Sequence, residues 1–192
     1  MSSVLRPRTS RPCRKISNYS RRVYVVLMYG GGMQPRQRIK VTSAGGVVYR
    51  WDQDKALFLL LSSNKRGVWC LPKGLIEEGE DEVTTAMREV REETGVSRVK
   101  LHGKLGAIKY QFGFRAKTYD KTVHFFLFET DQADAKVGTE HDAMDWMSYE
   151  KALSTLSYPN EKEMLSKAWT IIQAEKGHAI ETKTGQTKLS SG

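Results

Sequence analysis

An acidic helix between two glycines constrains the possible fold of this chain more than any other segment does. The spacing of apolar residues predicts a helix over residues 81–94, and Gly95 is the residue type that typically follows the last helical turn. At about 100° per residue, one helix face collects Val83, Ala86, Met87, Val90 and Thr94. An apolar face of this kind has to be covered, so we expect the helix to pack on a β-sheet.

Three glutamates share a second arc of this helix. Glu89, Glu92 and Glu93 fall within about 100° of one another, and their carboxylates repel each other unless a cation lies among them. They also crowd the last turn, where the helix dipole disfavours negative charge. Mg²⁺ prefers carboxylate, water and phosphate oxygens. We therefore interpret the cluster as a divalent-metal site rather than as a solvated acidic face paired with Arg88 and Arg91.

The 23 residues of the segment 74–96 resemble the Nudix box. The segment reads GLIEEGEDEVTTAMREVREETGV, and the defined positions of the box are all present: Gly74, Glu80, Arg88, Glu89, Val90, Glu92, Glu93, Gly95 and Val96. The resemblance implies a hydrolase that depends on Mg²⁺, with Mn²⁺ as a substitute, and that uses water to split a pyrophosphate linkage in a nucleotide-type substrate. It also implies an α/β/α sandwich with a mixed β-sheet and a loop–helix–loop catalytic motif.

The resemblance assigns roles to individual residues. The expected catalytic residues within the box are Glu80, Arg88, Glu89, Glu92 and Glu93. Glu89 and Glu93 would be the principal metal ligands, with Glu92 on the same or a second ion. The backbone carbonyl of Lys73 would be a further ligand, while Arg88 would hold carboxylates through forked hydrogen bonds. A glutamate would accept the proton of the attacking water, and which glutamate does so stays open.

Segments outside the box indicate the substrate class. The sequence WCLPKG at 69–74 resembles the approach to the box in dinucleoside polyphosphate hydrolases, and KTVHFF at 121–126 resembles their lysine-bearing strand. The sequence GTEHD at 138–142, followed by Trp146, resembles their glutamate loop. Together they favour diadenosine tetraphosphate or a related dinucleoside polyphosphate as the substrate.

Four residues outside the box are therefore further candidates for the site. Lys73 and Lys121 are expected to bind phosphate, Tyr110 to stack on a base, and Glu140 to be a further metal ligand or the base. A solvated turn lysine, a core tyrosine and an exposed loop acid are the alternative interpretations. Leu75 departs from the histidine that animal-type dinucleoside hydrolases carry after the box glycine.

Other functions stay open at this point. Within the enzyme class they are hydrolysis of oxidised nucleoside triphosphates, removal of a 5′ pyrophosphate from RNA, and hydrolysis of inositol pyrophosphates. Outside it, the chain would be a non-catalytic module that senses a nucleotide. Such modules often lose a box glutamate or the arginine, and this chain retains them all.

Strand patterns surround the box. Residues 41–50, 56–62, 99–108 and 121–130 carry β-compatible apolar runs. In the last of these, apolar residues occupy both faces, which indicates a strand covered on both sides. Gly45 and Gly46 predict a bulge or a close backbone approach. A second helix is predicted over roughly 161–175.

Charge divides the chain unevenly. Residues 1–40 carry ten Lys or Arg and no acid, which leaves 21 basic against 22 acidic residues in the remainder, although the whole chain is formally +9. The near-neutral domain argues against a nucleic-acid-binding face, so nucleic acid is expected only as a 5′-end substrate.

We expect a basic leader over 1–39, a hydrolase domain over 40–176 and a polar tail over 177–192. The leader is interpreted either as a disordered tail, which includes the case of an upstream start, or as a mitochondrial transit peptide. Cys13 lies in the leader and Cys70 in the domain, so we do not expect a disulfide framework. Cys70 is expected to be buried. We therefore expect a reducing, cytoplasmic location unless the leader directs import. No apolar run approaches the length of a membrane span.

Overall fold

The computed structural model describes residues 37–63 and 67–187. The predicted leader therefore lies almost entirely outside the described residues, and the first described strand begins at Arg38, two residues before the predicted boundary. In the described part of the chain, no helix combines the length and the apolar character needed to cross a membrane.

Each predicted strand and helix is present. The strands are β1 (Arg38–Asp52), β2 (Lys55–Ser63), β3 (Val68–Cys70), β4 (Lys73–Leu75), β5 (Lys100–Phe114), β6 (Lys117–Glu129) and β7 (Ala143–Ser148). The helices are α1 (Glu82–Thr94), α2 (Tyr149–Thr155) and α3 (Pro159–Thr187). Helix α3 continues beyond residue 176, where the sequence predicted that the domain would end.

The sheet is mixed, as predicted. Its order is β3-β2-β1-β6-β5, with β4 beside β1 and β7 beside β2. Strands β1 and β6 run parallel, from Arg38 opposite Thr118 to Tyr49 opposite Glu129. The other strand pairs are antiparallel. A parallel pair needs a long crossover, and the crossover here contains the whole acidic box.

Helices cover both faces of this sheet. Alternate residues of each central strand point to opposite faces, which separates Val123, Phe125 and Leu127 from Phe126 and Phe128. The first set packs with residues of α2 and α3, and the second packs with Ala86 and Val90 of α1. The predicted α/β/α sandwich is therefore confirmed, and β6 is covered on both sides.

Local signals fix the ends of α1. The Asp81 carboxylate accepts a hydrogen bond from the backbone N–H of Thr84 at 2.7 Å, as an N-cap residue does. Gly95 ends the helix in the left-handed conformation, with φ of 71°. The predicted buried face is partly wrong, since Met87 is 40% exposed. The buried stripe is rotated instead toward the acidic arc and consists of Thr85, Ala86, Val90, Glu93 and Thr94.

Gly45 and Gly46 allow the backbone before the box to lie directly on β1. The N–H of Gly46 donates to the carbonyl of Pro72 at 3.0 Å. A Cβ at Gly45 would overlap that same carbonyl oxygen and the Lys73 backbone. The predicted close approach is confirmed, and it places the start of the box against the central strand.

Candidate active site

Arg88 lies at the centre of the acidic cluster. Its Nε donates to Oε1 of Glu80 at 2.7 Å and its Nη2 donates to Oε2 at 2.9 Å, which is a forked, charge-assisted contact. Its Nη1 donates to Oε1 of Glu89 at 2.6 Å and, at 3.4 Å, to Glu92. The hydrogen bonds that Glu80 accepts from Arg88 lower the pKa of Glu80 to about 2. Arg88 thus joins the loop carboxylate to the helix carboxylates.

Glu89 packs against a glycine that leaves no room for a side chain. A Cβ at Gly74 would overlap all three carboxyl atoms of Glu89. Burial raises the pKa of Glu89 to about 7, although the hydrogen bond from Arg88 opposes the rise, and the neighbouring charges of Glu93 and Glu92 add to it. A carboxyl group poised in this way gains its charged form when a cation lies beside it.

Glu93 is the most buried carboxylate of the helix, at 9% exposed. Its Oε2 accepts the backbone N–H of Lys73 at 2.9 Å, and its Oε1 lies 3.1 Å from Nε2 of His141. Glu92 differs, because its side chain is 45% exposed. The helix therefore presents two held carboxylates and one that faces solvent.

The donor set fits a hard divalent cation in its chemistry. Three carboxylates and the carbonyl of Lys73 are the oxygen ligands that Mg²⁺ prefers. Within the described part of the chain, however, no three acidic, histidine or cysteine side chains are arranged as a metal cluster. Arg88 holds Glu89, while the N–H of Lys73 and His141 hold Glu93, so these carboxylates are directed at donors of the protein.

The Lys73 side chain is directed into the protein. Its ammonium group lies 2.9 Å from Oε1 of Glu161 and donates to the carbonyl of Leu71 at 3.0 Å. The other oxygen of Glu161 accepts the N–H of Leu71 at 2.8 Å. Lys73 and Glu161 are 8% and 1% exposed. The sequence led us to expect the Lys73 ammonium at an open phosphate position, and the structure instead buries it in an ion pair.

Lys121 and Tyr110 are brought together by the β5–β6 pairing, where they are direct cross-strand partners. Burial lowers the pKa of Lys121 to about 8, although the charge of Glu161 opposes that shift. Burial raises the pKa of Tyr110 to about 12. Both residues line a cavity of about 370 Å³ whose other lining residues are Arg38, Lys109, Gln111, Asp120 and Thr122. The cavity offers more positive than negative charge to an anionic ligand.

The loop between β6 and β7 (residues 130–142, hereafter the β6–β7 loop) places a different residue at the carboxylates from the one the sequence indicated. Glu140 is exposed, and the neighbouring His141 contacts Glu93. Sequence reasoning also missed Glu161, because an acid in the first turn of a helix is expected from the helix dipole alone.

Comparisons with known proteins decide the family. A family model described as the NUDIX domain matches residues 40–168. The chain belongs to the Nudix family. Members of this family act on pyrophosphate bonds. The match covers the box and, beyond it, the parts of β5 and β6 that line the cavity.

Two named relatives are identical to the chain at about a third of the aligned residues. The putative mutator protein MutT4 of Mycobacterium tuberculosis is 34% identical over 152 residues, which are 73% of this chain and 59% of that protein. The asymmetrical bis(5′-nucleosyl)-tetraphosphatase of Caenorhabditis elegans is 32% identical over 129 residues, which are 66% of this chain and 93% of that protein. The chain therefore spans less than two thirds of the first relative and nearly all of the second.

A solved Nudix structure agrees with the fold. The crystal structure of a C. elegans Ap4A hydrolase binary complex superposes with a TM-score of 0.58 at 26% identity, covering 70% of this chain and 98% of that one.

Proposed function

We propose that this chain hydrolyses a dinucleoside polyphosphate in a Mg²⁺-dependent reaction, with diadenosine tetraphosphate as the favoured substrate. The observation that carries the proposal is the joint presence of the box carboxylates on α1 and of a cationic cavity lined by the buried Lys121. A long polyphosphate needs both a place for divalent cations and further positive charge along its length.

The carboxylates of α1 would hold the cations, namely Glu89 and Glu93 as principal ligands with Glu92 beside them. A divalent cation bound there supplies charge neutralisation to the polyphosphate and makes a water molecule more acidic. Water oxygen attacks phosphorus, the anhydride P–O bond breaks, and the leaving phosphate takes that electron pair. The water proton passes to a carboxylate oxygen, for which Glu92 and the exposed Glu140 are the candidates open to solvent.

Lys121 and Tyr110 would bind the part of the substrate that does not react. Lys121 is 5% exposed, so its charge is little screened by solvent and attracts phosphate more strongly than the charge of a surface lysine. Tyr110 lines the same cavity and packs in part against the hydrophobic core, and we assign its ring to stacking on a base. Relatives named as asymmetrical tetraphosphatases at 29–32% identity support this substrate class.

A second candidate substrate is an oxidised guanine nucleotide. An 8-oxo-(d)GTP phosphatase of Mycolicibacterium smegmatis is 32% identical over 97 residues, but these are only 29% of that protein. This match is shorter than those to the asymmetrical tetraphosphatases, so we rank the oxidised guanine nucleotide second to the dinucleoside polyphosphate.

The test is a substrate panel with purified full-length chain. Diadenosine tetraphosphate, 8-oxo-dGTP, an ADP-sugar and 5′-triphosphorylated RNA are compared at equal concentration, with and without Mg²⁺, and products are separated by chromatography. We expect ATP and AMP from the dinucleotide, and no turnover in excess chelator. A competitor whose kcat/KM is about tenfold higher or more would overturn the substrate assignment. No hydrolysis of any substrate would favour a nucleotide-sensing module.

Two lysine variants test the cavity. Lys121→Ala should raise KM for the four-phosphate substrate more than for the ADP-sugar, because the longer chain has more charge to neutralise. Lys109→Ala is the matched control, since Lys109 lines the same cavity but is exposed. Equal effects of both substitutions would contradict a special role for the buried lysine.

A further inference from the structure

His141 contacts Glu93, one of the two proposed principal metal ligands. Its Nε2 lies 3.1 Å from Oε1 of Glu93, and its side chain is 13% exposed. The second oxygen of Glu93 is held by the backbone N–H of Lys73. Glu93 is therefore contacted from both sides, once by the strand before the box and once by a loop that lies well beyond it in the chain.

The chemistry of the contact fixes which group donates. An ionised carboxylate only accepts hydrogen bonds, so the hydrogen has to be on Nε2 of His141. The other ring nitrogen, Nδ1, is buried and has no hydrogen-bond partner among the described residues. A neutral ring with its hydrogen on Nε2 satisfies this arrangement, because Nδ1 then carries no buried N–H that lacks an acceptor.

The backbone of the β6–β7 loop holds His141 in place. The N–H of Gly138 donates to the carbonyl of Glu93 at 2.7 Å, and that of Lys136 donates to Thr94 at 2.8 Å. These two donors satisfy carbonyls at the end of α1 that have no partner within the helix. On the far side of His141, the N–H of Asp142 donates to the carbonyl of Ser62 at 2.9 Å. The loop thus holds Glu93 twice, at its backbone carbonyl and at its carboxylate.

The carboxylates of Glu89 and Glu93 are therefore oriented by different side chains. Arg88, a neighbour in sequence, orients Glu89, and a loop residue orients Glu93. We infer that His141 is a positioning residue for the hydrolytic reaction, which fixes the Glu93 carboxylate by donating a hydrogen bond from Nε2 and does not itself ligate the metal. The inference rests on the proposed role of Glu93 as a metal ligand.

The first experiment measures Mn²⁺ binding by the signal of the free ion in electron paramagnetic resonance, without substrate. His141→Ala should weaken Mn²⁺ binding about 10- to 100-fold, the usual effect of removing a group that orients a ligand. His141→Gln should recover most of the loss, since its amide nitrogen places a donor near the position of Nε2. In turnover assays the same two variants should differ chiefly in kcat, with KM for the nucleotide little changed.

His124, on β6, provides a matched control because it contacts a carboxylate of the same helix. Its Nε2 lies 3.2 Å from Oε1 of Glu82, at the opposite end of α1, and its Nδ1 is also buried without a partner among the described residues. His124→Ala and His124→Gln should bind Mn²⁺ as the wild type does. If they weaken binding as much as His141→Ala, the effect is general to the helix and the inference fails.

Two spectroscopic measurements separate positioning from ligation and from failure of the metal site. A ¹⁴N coupling to bound Mn²⁺ that disappears in His141→Ala would show direct ligation and overturn the inference. In the metal-free protein, ¹⁵N spectra of the ring should show hydrogen on Nε2 of His141, and the Nδ1–H form would also overturn it. If the ring has the Nε2–H form but the wild type binds no Mn²⁺, the proposed metal site is wrong while the His141–Glu93 contact stands.

Discussion

Substitution of Gly74 by alanine should inactivate the enzyme without unfolding it. The added Cβ would lie more than 1 Å inside the ordinary van der Waals separation, about 3.5 Å, from Cδ, Oε1 and Oε2 of Glu89. Glu89 has to move by at least that distance. A displacement of about 1 Å in a catalytic group costs on the order of a hundredfold in rate, so we expect kcat to fall at least about a hundredfold.

Stability should respond differently, because the overlapping atoms are the end of a flexible side chain. Gly74 does not have positive φ, so alanine fits its backbone, and replacing glycine at such a position typically adds about 0.4–1 kcal/mol through the unfolded state. Releasing Glu89 from Arg88 opposes this gain. The free energy of unfolding should therefore change by no more than about 1 kcal/mol.

The assay compares steady-state hydrolysis at saturating substrate and Mg²⁺ with urea denaturation of the same samples. Gly45→Ala is the contrasting variant, since its Cβ would meet the backbone of Pro72 and Lys73 and should severely destabilise the protein. Gly177→Ala, within α3, meets nothing, so it should leave kcat unchanged and at most add about 1 kcal/mol to the free energy of unfolding. A Gly74→Ala enzyme with kcat near that of the wild type would refute the argument, and so would a variant that is unfolded.

Three further predictions concern charged groups. Glu93→Gln should lower kcat at least about a hundredfold while the protein stays folded, because a carboxamide fills the same space but ligates Mg²⁺ poorly; near-normal turnover would remove Glu93 from the metal site. KM for the four-phosphate substrate should rise as the pH passes about 8, where Lys121 loses its charge. A KM that does not change with pH in the wild type would contradict this, and so would a rise that persists in Lys121→Met. Glu161→Gln should reduce the free energy of unfolding by about 3–5 kcal/mol in urea, because it removes the carboxylate charge that faces the buried Lys73 ammonium. The exposed Glu163→Gln is its control, and an equal loss in both would refute the ion-pair argument.

Local signals made the acidic helix predictable. Asp81 and Gly95 determine its two ends from side-chain and backbone chemistry within a few residues. The face it buries was predicted less well, since Met87 is exposed and Glu93 is buried. Which face meets the sheet depends on how Val90 and Ala86 pack against strands distant in sequence, and periodicity alone does not contain that information.

The β5–β6 hairpin shows a second limit. The sequence predicted two shorter strands with a gap between them, whereas the strands continue to Phe114 and resume at Lys117. Arg115 and Ala116 form the turn with φ of 45° and 59°. Tight hairpin turns of this kind favour Asn-Gly or Asp-Gly, so Arg-Ala gives no turn signal. The extension matters because it carries Tyr110 and part of the cationic cavity.

Contacts between residues far apart in the chain could not be predicted from the sequence. The Lys73–Glu161 ion pair joins two parts of the chain that carry no mutual pattern, and His141 alone resembles any solvated histidine. Each becomes interpretable only when the fold brings its partner near. The residues predicted from the Nudix box needed no such information, because Glu80, Arg88 and Glu89 contact one another within a single loop and helix.

The parallel pairing of β1 with β6 has a consequence for how the chain folds. Ser43 lies opposite Val123, so the central pair closes only after a long stretch of chain has been brought together, which costs entropy before it gains contacts. Folds dominated by such pairings form slowly. Helix α1 lies inside that stretch and packs on both of these strands. During refolding we therefore expect helical circular dichroism to return first, and hydrolysis to return only with the slower phase in which the sheet closes.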